Sequence, residues 1–424
     1  MKSPFSSIQP RWQVVVFLTV GSALNYADRA ALSSVLPPLK ANLGLTDAQL
    51  GLMGSVFLWS YALASPFAGI LADRYSRRRL AIASLILWSL VTALTGAAGG
   101  LISLLALRIA LGFTESLYIP AAIALTADHH GTATRGKAIS LLLTGMNLGV
   151  VLGGLGAGYL ADHFGWRVSF WTLGLGGVAF AMIFYPLLTD GPPVYGGKSA
   201  VRPKAAQALR YLARTPSYYV LMAKAALSGI AVWIFLSWLP LYYQETFNMS
   251  LAVAGFTGTV LLQSSGVFGT MIGGWMSDQA AVRDTRRRML MHGHGYILAA
   301  PFLVIFAAEP GLTLTVIAVS GFALFRGIGN ANEQPIVCDV VPSHYRSAAI
   351  GLMNTCSTAV GGTAVFVAGL LKQSMGLNAV FGWLSVVFVV AATALYGAYF
   401  FCAAGDIARA SHEEANHSST ERRF

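Results

Sequence analysis

Apolar runs of membrane-crossing length recur along the chain, separated by short polar segments. A helix needs about 20 apolar residues to cross ~30 Å of hydrocarbon. Twelve stretches meet that requirement: 12–37, 50–72, 80–98, 101–127, 137–161, 167–188, 217–243, 253–277, 289–308, 312–338, 346–371 and 378–403. The stretch 189–216 differs. It is polar, starts rich in Pro and Gly, and carries Lys198, Arg202, Lys204, Arg210 and Arg214. The pattern predicts an all-α membrane protein of twelve transmembrane helices: a six-helix half over 1–188, a linker over 189–216, a second half over 217–403, and a solvated tail over 404–424.

Charges interrupt these runs in a repeating way. Arg108 and Glu115 stand seven apart in one run, and Arg326 and Glu333 seven apart in another, each glutamate followed by a proline, Pro120 or Pro335. Asp28–Arg29 interrupts the first run. Charge within a membrane helix is costly unless it faces a cavity or a partner, so it marks a substrate or ion pathway. Two further segments recur: Gly69-Ile-Leu-Ala-Asp73 with Gly274-Trp-Met-Ser-Asp278, and Arg135-Gly-Lys-Ala-Ile-Ser-Leu141 with Arg346-Ser-Ala-Ala-Ile-Gly-Leu352. The offsets of 205, 218 and 211 residues agree apart from loop-length changes. The two halves therefore read as a parallel duplication.

Composition narrows the class. The chain has 424 residues, 55% hydrophobic and 11% charged, against roughly 25% charged in a soluble domain. Its net charge of +11 raises nucleic acid as a partner, but the distribution argues otherwise. With the N-terminus inside, 21 of the 28 Lys and Arg fall in inner segments, three in outer loops (Lys40, Arg167, Lys372) and four within spans. That bias predicts a multi-pass inner-membrane protein with cytoplasmic termini and no nucleic-acid partner. Residues 1–13 lack a cleavable signal pattern. Cys338, Cys356 and Cys402 have no metal-ligand spacing, and His292 and His294, two apart, do not share a helical face, so no metal is expected. No Walker, Rossmann or nucleophile-elbow pattern occurs, so no enzyme is expected.

Gly69-Ile-Leu-Ala-Asp73-Arg74-Tyr-Ser76-Arg77-Arg78 resembles the loop 2–3 signature of the major facilitator superfamily, with Ser76 where that signature usually has glycine. Asn25-Tyr26-Ala27-Asp28-Arg29, Arg108-Ile-Ala-Leu-Gly112-Phe-Thr-Glu115 and Trp238-Leu239-Pro240 with its following tyrosines resemble the anion:cation symporter family. Spinster-like transporters share the Asp-Arg and Arg/Glu pairs, and Leu71–Leu80 and Trp88-Ser-Leu-Val-Thr92 are similar to theirs. The resemblance implies the major facilitator fold and alternating access. It implies a small organic anion such as a sugar acid carried with protons, or, on the Spinster-like reading, a lysolipid or other amphipathic lipid.

Seven helical residues turn about 700° and rise roughly 10 Å, so Arg108 and Glu115 share a face but each needs a partner on another helix. The expected arrangement puts Arg108 near Asp28 and turns Glu115 to a central cavity. Asp28 and Glu115 are the expected proton carriers, and Arg29 or Arg108 the expected anion ligand, since guanidinium suits a carboxylate. The alternative for these charges is a set of fixed ion pairs. The family resemblance implies that Tyr26 and Tyr61 contact substrate. Asn147 and Asn354 are polar within spans and either complete the site or bond between helices, as with Gln263 and Thr358. Lys224, shallow in its span, is expected to snorkel to the surface. Asp73, Arg74, Arg77, Arg78 and Asp278 are expected to form a cytoplasmic clasp. Arg326 and Glu333 flank Gly327-Ile-Gly-Asn-Ala-Asn332, a candidate gating segment. No cofactor beyond the coupling proton is expected, and the partners are the anion, protons and the bilayer, with a monomer as the oligomeric state.

Overall fold

A computed structural model describes residues 10–185, 188 and 205–421, with the side chains of Asp73 and Arg74 among those outside that description. The first part of the expected linker, 189–204, and residues 1–9 also lie outside it. The helices are α1 (Pro10–Ser34), α2 (Leu36–Leu43), α3 (Asp47–Arg74), α4 (Arg77–Thr95), α5 (Leu101–Ser116), α6 (Tyr118–His129), α7 (Thr132–Phe164), α8 (Trp166–Phe184) and α9 (Ala205–Leu212). They continue as α10 (Pro216–Phe247), α11 (Leu251–Arg283), α12 (Arg287–Val304), α13 (Leu312–Asn330), α14 (Glu333–Val340), α15 (Arg346–Phe401) and α16 (Ala403–Glu421). Among the described residues, ten helical stretches are long and apolar enough to span a membrane. The difference from the expected twelve has two sources. Helix α1 is not among the ten, and Ser343–Phe401 counts as one stretch of 59 residues. That stretch is interrupted at Gly376, whose φ of +73° is a left-handed conformation that only glycine adopts without strain.

Two expected single spans are broken. The run over 101–127 divides into α5 and α6 at Leu117, and the run over 312–338 divides into α13 and α14 at Ala331–Asn332. Pro120 and Pro335 explain both breaks. A proline ring removes one N–H and crowds the carbonyl four residues back, here that of Ser116 or Ala331. Each break lies beside a glutamate of the charge repeat, so the backbone interruption and the charge come together.

Contacts group the chain into two compact units. One holds α1–α8 with Ile234–Val260 and Gly362–Leu370; the other holds α9 and the residues up to Trp233, Leu261–Gly361, and Leu371 to the end of α16. In the first unit, α1 and α7 pack backbone to backbone. A Cβ added at Gly145, Gly149 or Gly153 would meet Thr19, Ala23 or Ala27 at 2.5, 2.1 and 2.4 Å. Three glycines at four-residue spacing thus form a groove that admits α1, the small-residue packing that membrane helices use where hydrophobic burial gives no drive. Tyr118, at the α5–α6 break, stacks edge-on against Trp88 at 5.0 Å and donates to the Leu18 carbonyl at 3.1 Å. These contacts fix the α1 segment that carries Asp28 and Arg29.

In the second unit, Tyr218, Leu221, Met289, Ile336, Val337, Tyr345 and Ala403 belong to one buried cluster. Most described side chains of the expected tail are exposed, and two of its residues, Asp406 and Ala410, are buried. Helix α16 packs into this cluster through Ala403, and Asp406, 2% exposed, accepts the Ser217 N–H at 2.8 Å. That bond satisfies one of the open donors at the start of α10.

Candidate transport site

Arg29 is the hub of the first unit's polar core. Its Nε donates to Glu115 Oε2 at 2.8 Å, and its Nη2 donates to Asn25 Oδ1, one turn back on α1, at 3.1 Å. The guanidinium carbon lies 4.7 Å from the Tyr26 ring, 4.5 Å from Tyr61 and 5.2 Å from Phe57. Three rings thus surround a planar cation whose charge they attract. The Glu115 side chain is 0% exposed and that of Arg29 9%. Glu115 is therefore not turned to a cavity as expected: it is buried against Arg29, while its Oε1 and the Asn25 Nδ2 have no hydrogen-bond partner.

Asp28 points elsewhere. It is buried, and accepts from Thr92 Oγ1 of α4 at 3.0 Å. Arg108 lies within electrostatic reach of Asp28 and Glu115, but bridges neither. Its guanidinium sits 5.9 Å over Phe170, and its Nε has no hydrogen-bond partner. The site therefore holds two acids and two arginines, with only one pair in contact. Breaking a buried pair costs about 3–5 kcal/mol, whereas the second acid and second arginine have no such tie.

Other expected site residues are placed differently. Asn147 donates its amide to the Leu143 carbonyl of its own helix at 3.2 Å, and Asn354 is exposed on α15. In the second unit Arg326 and Glu333 do not pair with each other. Glu333 bonds to Lys224, whose Nζ also reaches Asn330 Oδ1 at 3.3 Å; Tyr296 donates to the same oxygen at 2.7 Å. Lys224 is 1% exposed, so it does not snorkel. An acid one helix away holds the amine in the interior, which its position along α10 alone cannot reveal.

Ion pairs also mark corresponding places in the two halves. Arg77 pairs with Asp128 at the end of α6, and Arg288 with Asp339 on α14 at 2.9 Å. Each member of the second pair follows its counterpart by 211 positions, an offset already present in the sequence repeat. Sequence reading missed both aspartates, although that offset could have found them. Arg78 donates to the Tyr185 carbonyl and lies over its ring, and Asp278, 84% exposed, stands 3.9 Å from Arg288. Ser76 accepts the Arg79 N–H and caps α4, which gives the departure from glycine a local use.

A duplicated helical scaffold with charges buried inside membrane-length helices defines a membrane transporter rather than an enzyme. The sequence profile of the Major Facilitator Superfamily matches residues 18–365, and the chain belongs to that family. It is 27% identical over 401 residues to a probable chloroplastic anion transporter 4 of Oryza sativa subsp. japonica, covering 90% of this chain and 67% of that one. It is 25% identical over 414 residues to the probable galactarate/D-glucarate transporter GudP of Bacillus subtilis (strain 168), covering 89% and 90%. A crystal structure of a bacterial homologue of the human lysosomal transporter Spinster, inward-facing and unoccupied, superposes with a TM-score of 0.78 at 22% identity, covering 96% of this chain and 99% of that one.

Proposed function

We propose that this transporter carries a small organic anion, a sugar acid or related carboxylate, together with protons. The observation that carries the reading is the Arg29–Glu115 pair inside a ring of Tyr26, Tyr61 and Phe57. Guanidinium binds carboxylates through a planar fork. A substrate carboxylate that takes up Arg29 leaves Glu115 buried without its cation, and a buried unpaired carboxylate takes a proton rather than stay charged. Release of the anion returns Arg29 to Glu115, and the proton leaves. Asp28, buried and accepting from the Thr92 hydroxyl, is the second carrier. Arg108, in electrostatic reach of both acids, compensates whichever is ionised. Relatives named for galactarate/D-glucarate and hexuronate support the anionic class. The Lys and Arg distribution supports cytoplasmic termini in an inner membrane.

The test is uptake into proteoliposomes with an imposed proton gradient, using glucarate, a hexuronate and a lysolipid as probes. Inward protons are expected to drive uptake of one of the acids. Glu115→Gln is expected to abolish that drive while leaving counterflow exchange measurable. Gradient-driven uptake that persists in Glu115→Gln refutes the coupling assignment. Stabilisation and uptake of the lysolipid alone refutes the anion assignment and favours the amphipathic-lipid alternative.

A further inference from the structure

The second unit has a charge imbalance that the proton-and-anion reading does not use. Lys224 from α10 is buried and Arg326 from α13 is partly buried, and Glu333 at the start of α14 is the acid within electrostatic reach of both. The Glu333 carboxylate is bound to Lys224. Arg326 is left over. Among the described residues no acid stands at ion-pair distance from it, and its Nε is buried with no hydrogen-bond partner. The Phe322 ring lies 6.0 Å from its guanidinium carbon, and Tyr296 and Glu333 act on it only at longer range. Tyr296 and Asn330 bond to each other, and His292, fully buried, has both ring nitrogens without a partner. None of these groups is an anion that could serve Arg326.

An arginine inside a membrane helix needs a counter-charge or a polar cavity. Arg326 is only partly buried as a residue, so part of it is open while its Nε is not. Its Nη2 lies 3.6 Å from where a Gly266 Cβ would stand, so α11 presents no side chain there; Gln263 stands one turn earlier on α11. We propose that Arg326 marks an anion-binding site within the second half, taking one small carboxylate- or sulfonate-type group, with the Lys224–Glu333 pair as its fixed base. The Glu333 carboxylate is taken by Lys224 and makes no ion pair with Arg326, so the negative charge at contact distance comes from the ligand. This site extends the organic-anion reading and rests on it only for the class of ligand.

The experiment separates the two sites. Purified transporter is titrated with glucarate and with sulfate, reading thermal stability, in the wild type, Arg29→Gln, Arg326→Gln and the double variant. Arg283→Gln, an exposed arginine outside the site, serves as the charge-matched control. Arg29→Gln is expected to keep a saturable stabilisation by anion, and adding Arg326→Gln is expected to remove it, weakening the residual response at least tenfold. Without anion, Arg326→Gln is expected to melt no lower than the wild type, because it removes a charge that has no partner. A response in Arg29→Gln that Arg326→Gln leaves unchanged overturns the proposal. So does a response that Arg283→Gln removes equally, or a fall in anion-free stability, which identifies Arg326 as a structural contact. None of these readouts requires proton-driven uptake, so failure of the coupling scheme is seen separately.

Discussion

Arg29 makes two hydrogen bonds and lies over three rings from one planar group, and lysine cannot reproduce that arrangement. Arg29→Lys is expected to keep the charge balance and fold, yet weaken anion binding about tenfold or more, about 1.4 kcal/mol. Calorimetry with the transported acid checks this. The Lys224–Glu333 pair makes an asymmetric prediction, because the amine is 1% exposed and the acid 21%. Glu333→Gln strands a fully buried cation and is expected to lower the melting temperature more than Lys224→Met, which strands a partly solvated acid. The double variant is expected to recover much of the loss. Equal effects of the two single changes would show that burial does not set the cost. At this scale the sequence located the charges but not their partners. Seven-residue spacing correctly excluded an Arg108–Glu115 bond, but nothing in the spacing selects Arg29 over Arg108 for Glu115. That choice is made where the Arg29 side chain of α1 reaches Glu115 near the end of α5.

Among the elements, the glycine groove of α7 decides where Asp28 and Arg29 stand. Gly149→Val is expected to push α1 away, since even a Cβ would lie 2.1 Å from the Ala23 carbonyl oxygen. Transport is expected to fall to background with a marked loss of thermal stability. Gly156→Ala, on the same helix with nothing within 4 Å of the added carbon, is the control expected to be silent. The broken helices were legible only in part. Pro120 and Pro335 were visible, but a proline inside a span either kinks or divides a helix, and packing chooses. Tyr118, held by Trp88 and the Leu18 carbonyl, pins the first break in place. The polar composition of the tail does not show that Asp406 is buried, because its contact is with the distant start of α10.

For the whole molecule, duplication carries over into contacts. Arg77–Asp128 and Arg288–Asp339 occupy matching places in their own halves, 211 residues apart. If each pair steadies the hairpin it closes, Asp128→Asn or Asp339→Asn is expected to slow transport several-fold. Reversing a pair, as in Arg288→Asp with Asp339→Arg, is expected to restore more activity than either change alone. Initial-rate uptake of the transported acid in the four single and paired variants checks this, and a reversed pair no better than its parts would refute pairing as the cause.

The sequence by itself determined the helical membrane class, the duplication, and which few residues carry charge into apolar segments. Each follows from local composition and spacing, which the thickness of a bilayer and the cost of buried charge constrain directly. Only the tertiary structure decided that Glu115 meets Arg29, that Asp28 meets Thr92, that Lys224 stays inside with Glu333, and that Arg326 is left without an acid. Those pairings depend on which helix faces approach one another, and residues distant along the chain set that approach.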